Sequence, residues 1–179
     1  MPGETACVHV QAFDRLHNAT AEQVACSAPL VPPPMPAWAI QSRVEANPGA
    51  PGLVGLDTWL WVAPAPTVMT AHVTYLGMDY TLTAAAVGAD WDFGDGATAK
   101  FLDTSGFGTA YPQASSVTHA YQAHSQPGYV VQASIRYSVT WTARIAGREV
   151  GPYPLGTVTL RATPLQYPVE QAQPELIAL

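Results

Sequence analysis

Three short stretches decide the fold of this chain: W-D-F-G-D-G at residues 91–96, V-T-H-A-Y at 117–121 and G-Y-V-V at 128–131. In the first, Trp91 and Phe93 alternate with acidic residues, which predicts a half-buried strand with its aromatic side chains facing inward. Gly94 and Gly96 then allow positive φ angles around Asp95, whose carboxylate can accept hydrogen bonds from nearby amides in an Asx turn. The stretch is predicted to be a strand that ends in a tight turn.

The same turn has a second interpretation as a calcium site. Asp90, Asp92 and Asp95 place three carboxylates within six residues, and calcium prefers six to eight oxygen ligands. The spacing is not that of an EF-hand loop, which also needs a glutamate at its bidentate position. Because turn formation is the commoner use of such aspartates, the structural interpretation is preferred and no bound metal is expected.

Residues 58–165 follow the pattern of β-strands almost throughout. The clearest run is 129–143, where apolar and polar residues alternate without a break, and only a strand has this period of two. We expect six residues to share one core: Trp91, Phe93, Tyr121, Val131, Ile135 and Val139. Further strands are predicted at 58–62, 69–75, 80–86, 157–163 and 166–170.

The first 57 residues are predicted to be an appendage rather than a second domain, because their apolar content could not bury a core alone. Residues 20–23 have the spacing of a capping box and predict a short helix to about Ser27. Five prolines make residues 29–36 an extended strap, and alternation over 38–45 predicts a strand. We expect 29–55 to pack along the body, on the same copy or a neighbour. The predicted organisation is an appendage (1–57), a body (58–165) and a tail (166–179).

The three stretches resemble the signature of the PKD domain, an immunoglobulin-like β-sandwich with a W-D-F-G-D-G turn, an H-T-Y strand and a G-x-Y-x-V strand. His119 and Tyr121 match the second part, and Gly128 and Tyr129 match the third. The resemblance covers about residues 60–165 and is closest to PKD-containing exported proteins of actinobacteria. It implies an all-β, immunoglobulin-like antiparallel sandwich, a structural role for His119 and a Tyr121 hydroxyl that ties a corner of the fold.

The cysteines of this chain differ from those of the group it resembles. In the actinobacterial group the long loop after the turn carries a cysteine pair, but Lys100 and Thr118 stand at those places here. The loop 97–116 is therefore expected to be freer, or to be held by partner contacts. The resemblance also implies an oxidising compartment, and hence a disulfide between Cys7 and Cys26, with two buried thiols as the alternative. We expect an extracellular or cell-surface location, although no signal-peptide pattern is visible.

Composition excludes several classes of partner. The net charge is −6 and Lys100 is the only lysine, so the chain has no basic surface for nucleic acid or anionic lipid. The uncharged stretch 58–78 alternates and contains prolines, which does not fit a membrane span. No motif of a nucleophile, a metalloprotease or a phosphate-binding loop is present, and neither enzymatic activity nor a cofactor is expected.

Trp59 and Trp61 are the candidate binding residues, because they share one face of a predicted strand. If exposed, they would form a platform for sugar rings or a partner side chain; the preferred interpretation is that they belong to the core or lie under the strap. The function expected is a non-catalytic extracellular or cell-surface module that mediates protein or glycan interaction, or spacing. The alternative is a structural subunit of a surface assembly or filament, joined to other copies by strand addition through its terminal segments.

Overall fold

The chain forms strands almost throughout, which confirms the all-β prediction. Its structure is a computed structural model that describes residues 7–13, 19–26, 30–145 and 147–172, with side chains from residue 30 onward. Within these residues the only helix is a 3-10 turn, Thr104–Phe107. The strands are β1 Cys7–Phe13, β2 Ala19–Cys26, β3 Arg43–Asn47, β4 Gly52–Leu53, β5 Asp57–Ala63, β6 Met69–Tyr75, β7 Met78–Asp92, β8 Thr98–Phe101, β9 Val117–Ala120, β10 Ser125–Ile145, β11 Arg148–Arg161 and β12 Leu165–Glu170.

The short helix predicted at 20–27 is wrong, because β2 occupies residues 19–26 and Ser27 lies outside the described residues. β2 pairs antiparallel with β1, and the register sets Cys7 directly opposite Cys26. A capping box stabilises only the start of a helix. It is outweighed here by the neighbouring strand, which supplies a full row of backbone hydrogen bonds. Thr20 and Val24, both β-branched, also favour the extended form.

The larger sheet has seven strands and is organised around β10. One edge of β10 pairs with β7, while the other edge pairs first with β12 and then with β11. β6 and β8 pair with the far edge of β7, and β4 runs parallel to β12. Buried and partly exposed residues alternate along β10 from Val131 to Ala143, within the stretch that predicted a strand, and the 21-residue length of β10 lets it pair with three strands.

The smaller sheet has three strands in the order β3, β5, β9. β3 begins at residue 43, so the strand predicted for 38–45 is displaced towards the C-terminus. Residues 30–42 carry no regular secondary structure. Backbone hydrogen bonds connect the edge of β3 to Thr163, which lies between β11 and β12: Val44 N donates to Thr163 O (3.0 Å) and Thr163 N to Ser42 O (2.8 Å). β3, β4 and β12, assigned by sequence to the appendage and the tail, are strands of the body sheets.

One hydrophobic core receives side chains from both sheets. The larger sheet contributes every second residue of β10 from Val131 to Ala143, and the smaller sheet contributes Val44, Leu60, Val62 and Val117. Trp91 is 2% exposed. All six residues that the sequence predicts for the core are buried in it: Trp91, Phe93, Tyr121, Val131, Ile135 and Val139.

Residues 30–42 pack against the body of their own chain. Leu30 is buried in the core, and the Tyr80 hydroxyl donates to the Val31 carbonyl (3.0 Å). Trp38 and Ile40 are partly buried against the same core, and Ser42 Oγ donates to Pro64 O (2.9 Å). This placement agrees with the expectation that the segment lies along the body.

β12 closes the larger sheet between β4 and β10, which confirms the strand predicted at 166–170. Tyr167 is fully buried; its hydroxyl donates to Pro48 O (2.9 Å) and accepts from Thr58 Oγ1 (3.5 Å). The tail beyond 172 lies outside the described residues. Among the described residues, no helix has the length and apolar character needed to cross a membrane.

Candidate functional site

The turn at 92–97 has the hydrogen bonds that the sequence predicts. Asp92 Oδ1 accepts from Gly94 N (2.9 Å), and Asp95 Oδ1 accepts from Ala97 N (3.0 Å). Gly94 has φ of 84°, and a Cβ there would lie 2.8 Å from the backbone N and O of Val130. Glycine is required at this position for both its φ angle and its close contact with β10.

The three aspartates of the calcium alternative have separate partners. Asp90 forms a two-pronged ion pair with Arg136 (2.6 and 2.7 Å), Asp92 caps its own turn, and Asp95 contacts His119. No cluster of three metal-binding side chains occurs among the described residues. Each of these carboxylates therefore has a structural role in the turn or the sheet.

His119 joins the turn to the smaller sheet. Its Nε2 lies 2.7 Å from Asp95 Oδ2, and because an ionised carboxylate can only accept, the imidazole donates. The ring stacks on Phe93 (centroids 4.3 Å apart, planes 4° apart) and meets Tyr121 edge-on. Partial burial raises the pKa of the Asp95 carboxyl, but the hydrogen bonds from His119 and Ala97 N lower that pKa more, so the net pKa is below its usual value.

Tyr121 contacts residues of several strands at the same end of the molecule. Its hydroxyl donates to Phe93 O (3.2 Å), and its ring stacks on Tyr129 (4.6 Å) and lies near Tyr167 (5.8 Å). Burial raises the pKa of the Tyr121 phenol, so the hydroxyl is neutral and able to donate at physiological pH. His119 and Tyr121, together with Gly128 and Tyr129 at the start of β10, thus serve packing and hydrogen bonding.

Trp59 and Trp61 lie on the outer face of the smaller sheet. The core side of β5 is occupied by Thr58, Leu60 and Val62, while both tryptophans are partly exposed on the opposite side. The expectation that they belong to the core is therefore wrong. Threonine, leucine and valine are small enough to fit beneath the larger sheet, and the alternation of β5 then directs both indoles outward.

Tyr111, a residue that the sequence did not single out, joins this surface. Its ring centroid lies 6.2 Å from that of Trp59, with the planes tilted by 40°, and its side chain is 61% exposed. We call Trp59, Trp61 and Tyr111 the aromatic face. The signal for Tyr111 is weak, since an exposed tyrosine within a long loop gives no indication of which strand the loop approaches.

The loop that carries Tyr111 has hydrogen bonds to its own chain, whereas the sequence predicted a loop that is freer or is held by partner contacts. The Ser115 hydroxyl donates to Leu60 O (2.6 Å) and accepts from Thr109 N (3.0 Å) and Val117 N (3.2 Å). Earlier in the loop, Trp91 Nε1 donates to Gly106 O (2.7 Å). These bonds connect the loop to β5 and to Trp91 of β7.

Gly108 brings the loop against β5. Its φ is 67°, and a Cβ at this position would lie 2.1 Å from Leu60 O and 2.8 Å from Trp61 Cα. Only glycine permits this approach. The position of Tyr111 beside Trp59 therefore depends on Gly108 and Ser115.

Polar side chains surround the tryptophans on the same surface. Residues directly opposite each other in an antiparallel pair have side chains on one face. The register sets Glu45 opposite Trp61, and sets Asn47 and Thr118 on either side of Trp59. Arg43 Nε donates to Glu45 Oε1 (2.8 Å), and this hydrogen bond helps to fix the position of the Glu45 carboxylate.

A groove of about 620 Å³ lies elsewhere, between β6, β7, β10 and β11. Its polar lining includes His72, Asp79, Arg144 and Glu149. His72 Nδ1 is 3.1 Å from Thr81 Oγ1, and Thr74 Oγ1 donates to Asp79 (2.8 Å). These contacts are exposed, and the lining contains no serine or cysteine to act as a nucleophile.

No protein-family model matches the chain, and no curated protein or solved structure is similar to it.

Proposed function

We propose that this chain is a non-catalytic extracellular or cell-surface module that binds a protein or glycan through its aromatic face. We further propose that its body is an immunoglobulin-like β-sandwich of the PKD type. The motif at 91–96, the buried Tyr121 hydroxyl and a core formed by side chains of two sheets support this fold.

The observation that carries the binding proposal is the outward position of Trp59 and Trp61. Large aromatic side chains on a surface lose little conformational entropy on binding and provide a large contact area, so they are enriched in binding sites. Tyr111 enlarges this surface, and Gly108 and Ser115 hold it in place. A rigid, preassembled surface binds with a smaller entropic penalty than a mobile one.

A structural role for the motif histidine supports a non-catalytic function. Both the hydrogen bond to Asp95 and the stack on Phe93 hold His119 in place between the sheets. An exported location is supported by the register of β1 and β2, in which Cys7 and Cys26 face each other across the pair. Opposed residues on neighbouring strands have the Cα separation that a disulfide needs.

Sedimentation with the cell-envelope fraction of the producing organism tests the binding proposal. Wild-type protein should sediment with the envelope, and the double variant Trp59→Ala/Trp61→Ala should stay in the supernatant. Leu102→Ala, which removes a 77% exposed apolar side chain outside the aromatic face, is the matched control and should behave as wild type. Equal sedimentation of the double variant and the wild type would refute a role for this face.

A second candidate function, a subunit of a surface assembly, is favoured by the edge strand β6. Within the described residues β6 pairs only with β7, and its sequence M-T-A-H-V-T-Y contains neither proline nor a carboxylate or lysine. Edges of this composition accept an added strand readily. Light scattering tests this alternative: His72→Pro, at an exposed position of β6, should convert an assembly into monomers, whereas a wild-type protein that is monomeric at high concentration would exclude it.

A further inference from the structure

We infer that the aromatic face binds an uncharged, extended polysaccharide chain. This inference rests on the proposed function, since it names the ligand of the same surface. It depends on the spacing of the three aromatic residues, on the polar groups around them, on the charge of the face and on its open shape.

The rings are spaced for repeated stacking. Alternate residues of a strand have Cα atoms about 6.8 Å apart, so Trp59 and Trp61 follow each other at that Cα spacing on one face of β5, and the Tyr111 ring lies 6.2 Å from that of Trp59. The C–H faces of sugar rings stack on aromatic rings, and successive sugars of a chain present such faces repeatedly. Three neighbouring rings suit a repeating ligand better than a single one.

Hydrogen-bonding groups border the rings. Asn47 and Thr118 lie on opposite sides of Trp59 across the sheet, and Glu45 lies beside Trp61. Amide, hydroxyl and carboxylate groups at the rim of a stacked sugar can both donate to and accept from its hydroxyls. A protein partner would instead favour a continuous apolar centre with depleted charge.

The charge of the face favours an uncharged ligand. Arg43 and Glu45 form an ion pair with each other, and the outer side of β5 ends in the exposed carboxylate of Asp57. No cation in this group is left to attract an anionic polymer, and the whole chain carries a net charge of −6. Acidic polysaccharides and nucleic acids are therefore repelled, whereas an uncharged chain is not.

The shape of the face favours an extended ligand. The four best-formed grooves of the described residues are lined by residues other than Trp59, Trp61 and Tyr111. Small molecules bind in concave sites that enclose most of their surface. A polymer can instead gain affinity from several weak contacts along an open surface.

Affinity electrophoresis of the full chain tests the inference directly. Native gels would contain hydroxyethylcellulose, galactomannan or xylan as uncharged polymers, and polygalacturonate as an acidic polymer. Wild-type protein should be retarded by at least one uncharged polymer, to the same extent at low and high salt. Trp59→Ala and Trp61→Ala should each raise the dissociation constant about 3- to 10-fold, Trp61→Phe should restore part of the affinity, and Leu102→Ala should have no effect.

A second variant guards against misfolding of the tryptophan variants. Thr118 is exposed and directly opposite Trp59, so Thr118→Lys should cover the indole without changing the core and should weaken retardation in the same gels. Failure of every uncharged polymer to retard the wild type, or retardation by polygalacturonate alone, would overturn the inference. Equal retardation of wild type and all face variants would overturn it as well.

Pretreatment of the envelope fraction separates this inference from the proposed function. Periodate cleaves the vicinal diols of sugars, and a protease removes proteins. Sedimentation that depends on Trp59 and Trp61 and is lost after periodate supports the polysaccharide. Sedimentation with the same dependence that is lost only after the protease leaves the binding function standing and refutes the polysaccharide.

Discussion

The imidazole of His119 and the carboxylate of Asp95, 2.7 Å apart, connect the smaller sheet to the turn that follows β7 of the larger one. Both side chains are mostly buried, with exposed fractions of 15% and 19%. The same imidazole stacks on Phe93, so the two sheets are joined here by a polar and an aromatic contact. Changes at this contact should affect the stability of the whole fold.

Asp95→Asn should lower the free energy of unfolding at neutral pH by about 2 kcal/mol, the value of a hydrogen bond to a charged group. The folded state holds the pKa of Asp95 below its usual value. The carboxylate therefore stabilises the fold above its unfolded pKa of about 3.9, and this contribution is lost as the pH falls through the lower folded pKa. Urea denaturation of both proteins across this range should show the difference shrinking with acid.

Asp92→Asn is the control for this prediction. Asp92 caps the same turn through Gly94 N but has no histidine partner. Its variant should lose less stability at neutral pH than Asp95→Asn does. A difference between wild type and Asp95→Asn that does not depend on pH would contradict the role assigned to the charge.

Trp91→Ala should cost about 3 to 5 kcal/mol, the range for truncating a buried large aromatic side chain. Trp91 is 2% exposed, and its indole N–H donates to Gly106 O. Trp91→Phe should cost less, because it keeps most of the packing and loses the hydrogen bond to the loop. Urea denaturation measures both, and a cost below 1 kcal/mol for Trp91→Ala would contradict the placement of this residue.

Gly108→Ala should displace the loop from β5 and weaken ligand binding as well as stability. The added methyl group would clash with Leu60 O and Trp61 Cα, and alanine would also be strained at the positive φ of this residue. Gly96→Ala is a matched control, because it has a φ of 94° with open space around the Cβ and should cost only the strain, about 1 to 2 kcal/mol. Equal melting temperatures for the two variants would show that the close contact at Gly108 is unimportant.

Cys7 and Cys26 are predicted to form a disulfide that closes a loop of about 20 residues and contributes roughly 3 kcal/mol. Titration of free thiols in the unfolded, unreduced protein should find essentially none. Two reactive thiols would refute the bond and would also weaken the proposal of an exported protein.

Deletion of residues 1–41 should destabilise the body without removing any strand of its two sheets. The deletion leaves the Tyr80 hydroxyl without the Val31 carbonyl and removes Leu30 from the core. Exposed apolar surface should then appear as increased binding of a hydrophobic dye and a lower melting temperature. A truncated protein that melts at the wild-type temperature would show that the segment is a passive tether.

Much of this fold could be predicted because the alternation of apolar and polar residues along a strand shows which side chains are buried. The inward positions of β10 and the buried Trp91 and Tyr121 are examples. The helix predicted at 20–27 was wrong because four residues carried a local signal, whereas the partner strand β1 lies elsewhere in the chain. A pattern within one segment does not show which strand elsewhere in the chain will pair with it.

The aromatic face was only half predictable for a related reason. Both sides of β5 are rich in apolar residues, so the sequence favoured the larger tryptophans for the core, but the space beneath the larger sheet accepts Leu60 and Val62 instead. The approach of Tyr111 depends on Gly108 and Ser115 meeting β5 across some 50 residues of chain. A contact between residues so far apart in the sequence produces no periodic pattern of apolar residues.

The position of β12 has a consequence for how the protein is made. Tyr167 lies at the centre of the fold and bonds to Pro48, and β12 separates β4 from β10. The β4 edge and the N-terminal part of β10 therefore stay unpaired on that side of the larger sheet until residues 165–170 have been made. We expect a chain that stops before β12 to leave the apolar neighbours of Tyr167 and Val169 exposed, and therefore to aggregate more readily than the full chain.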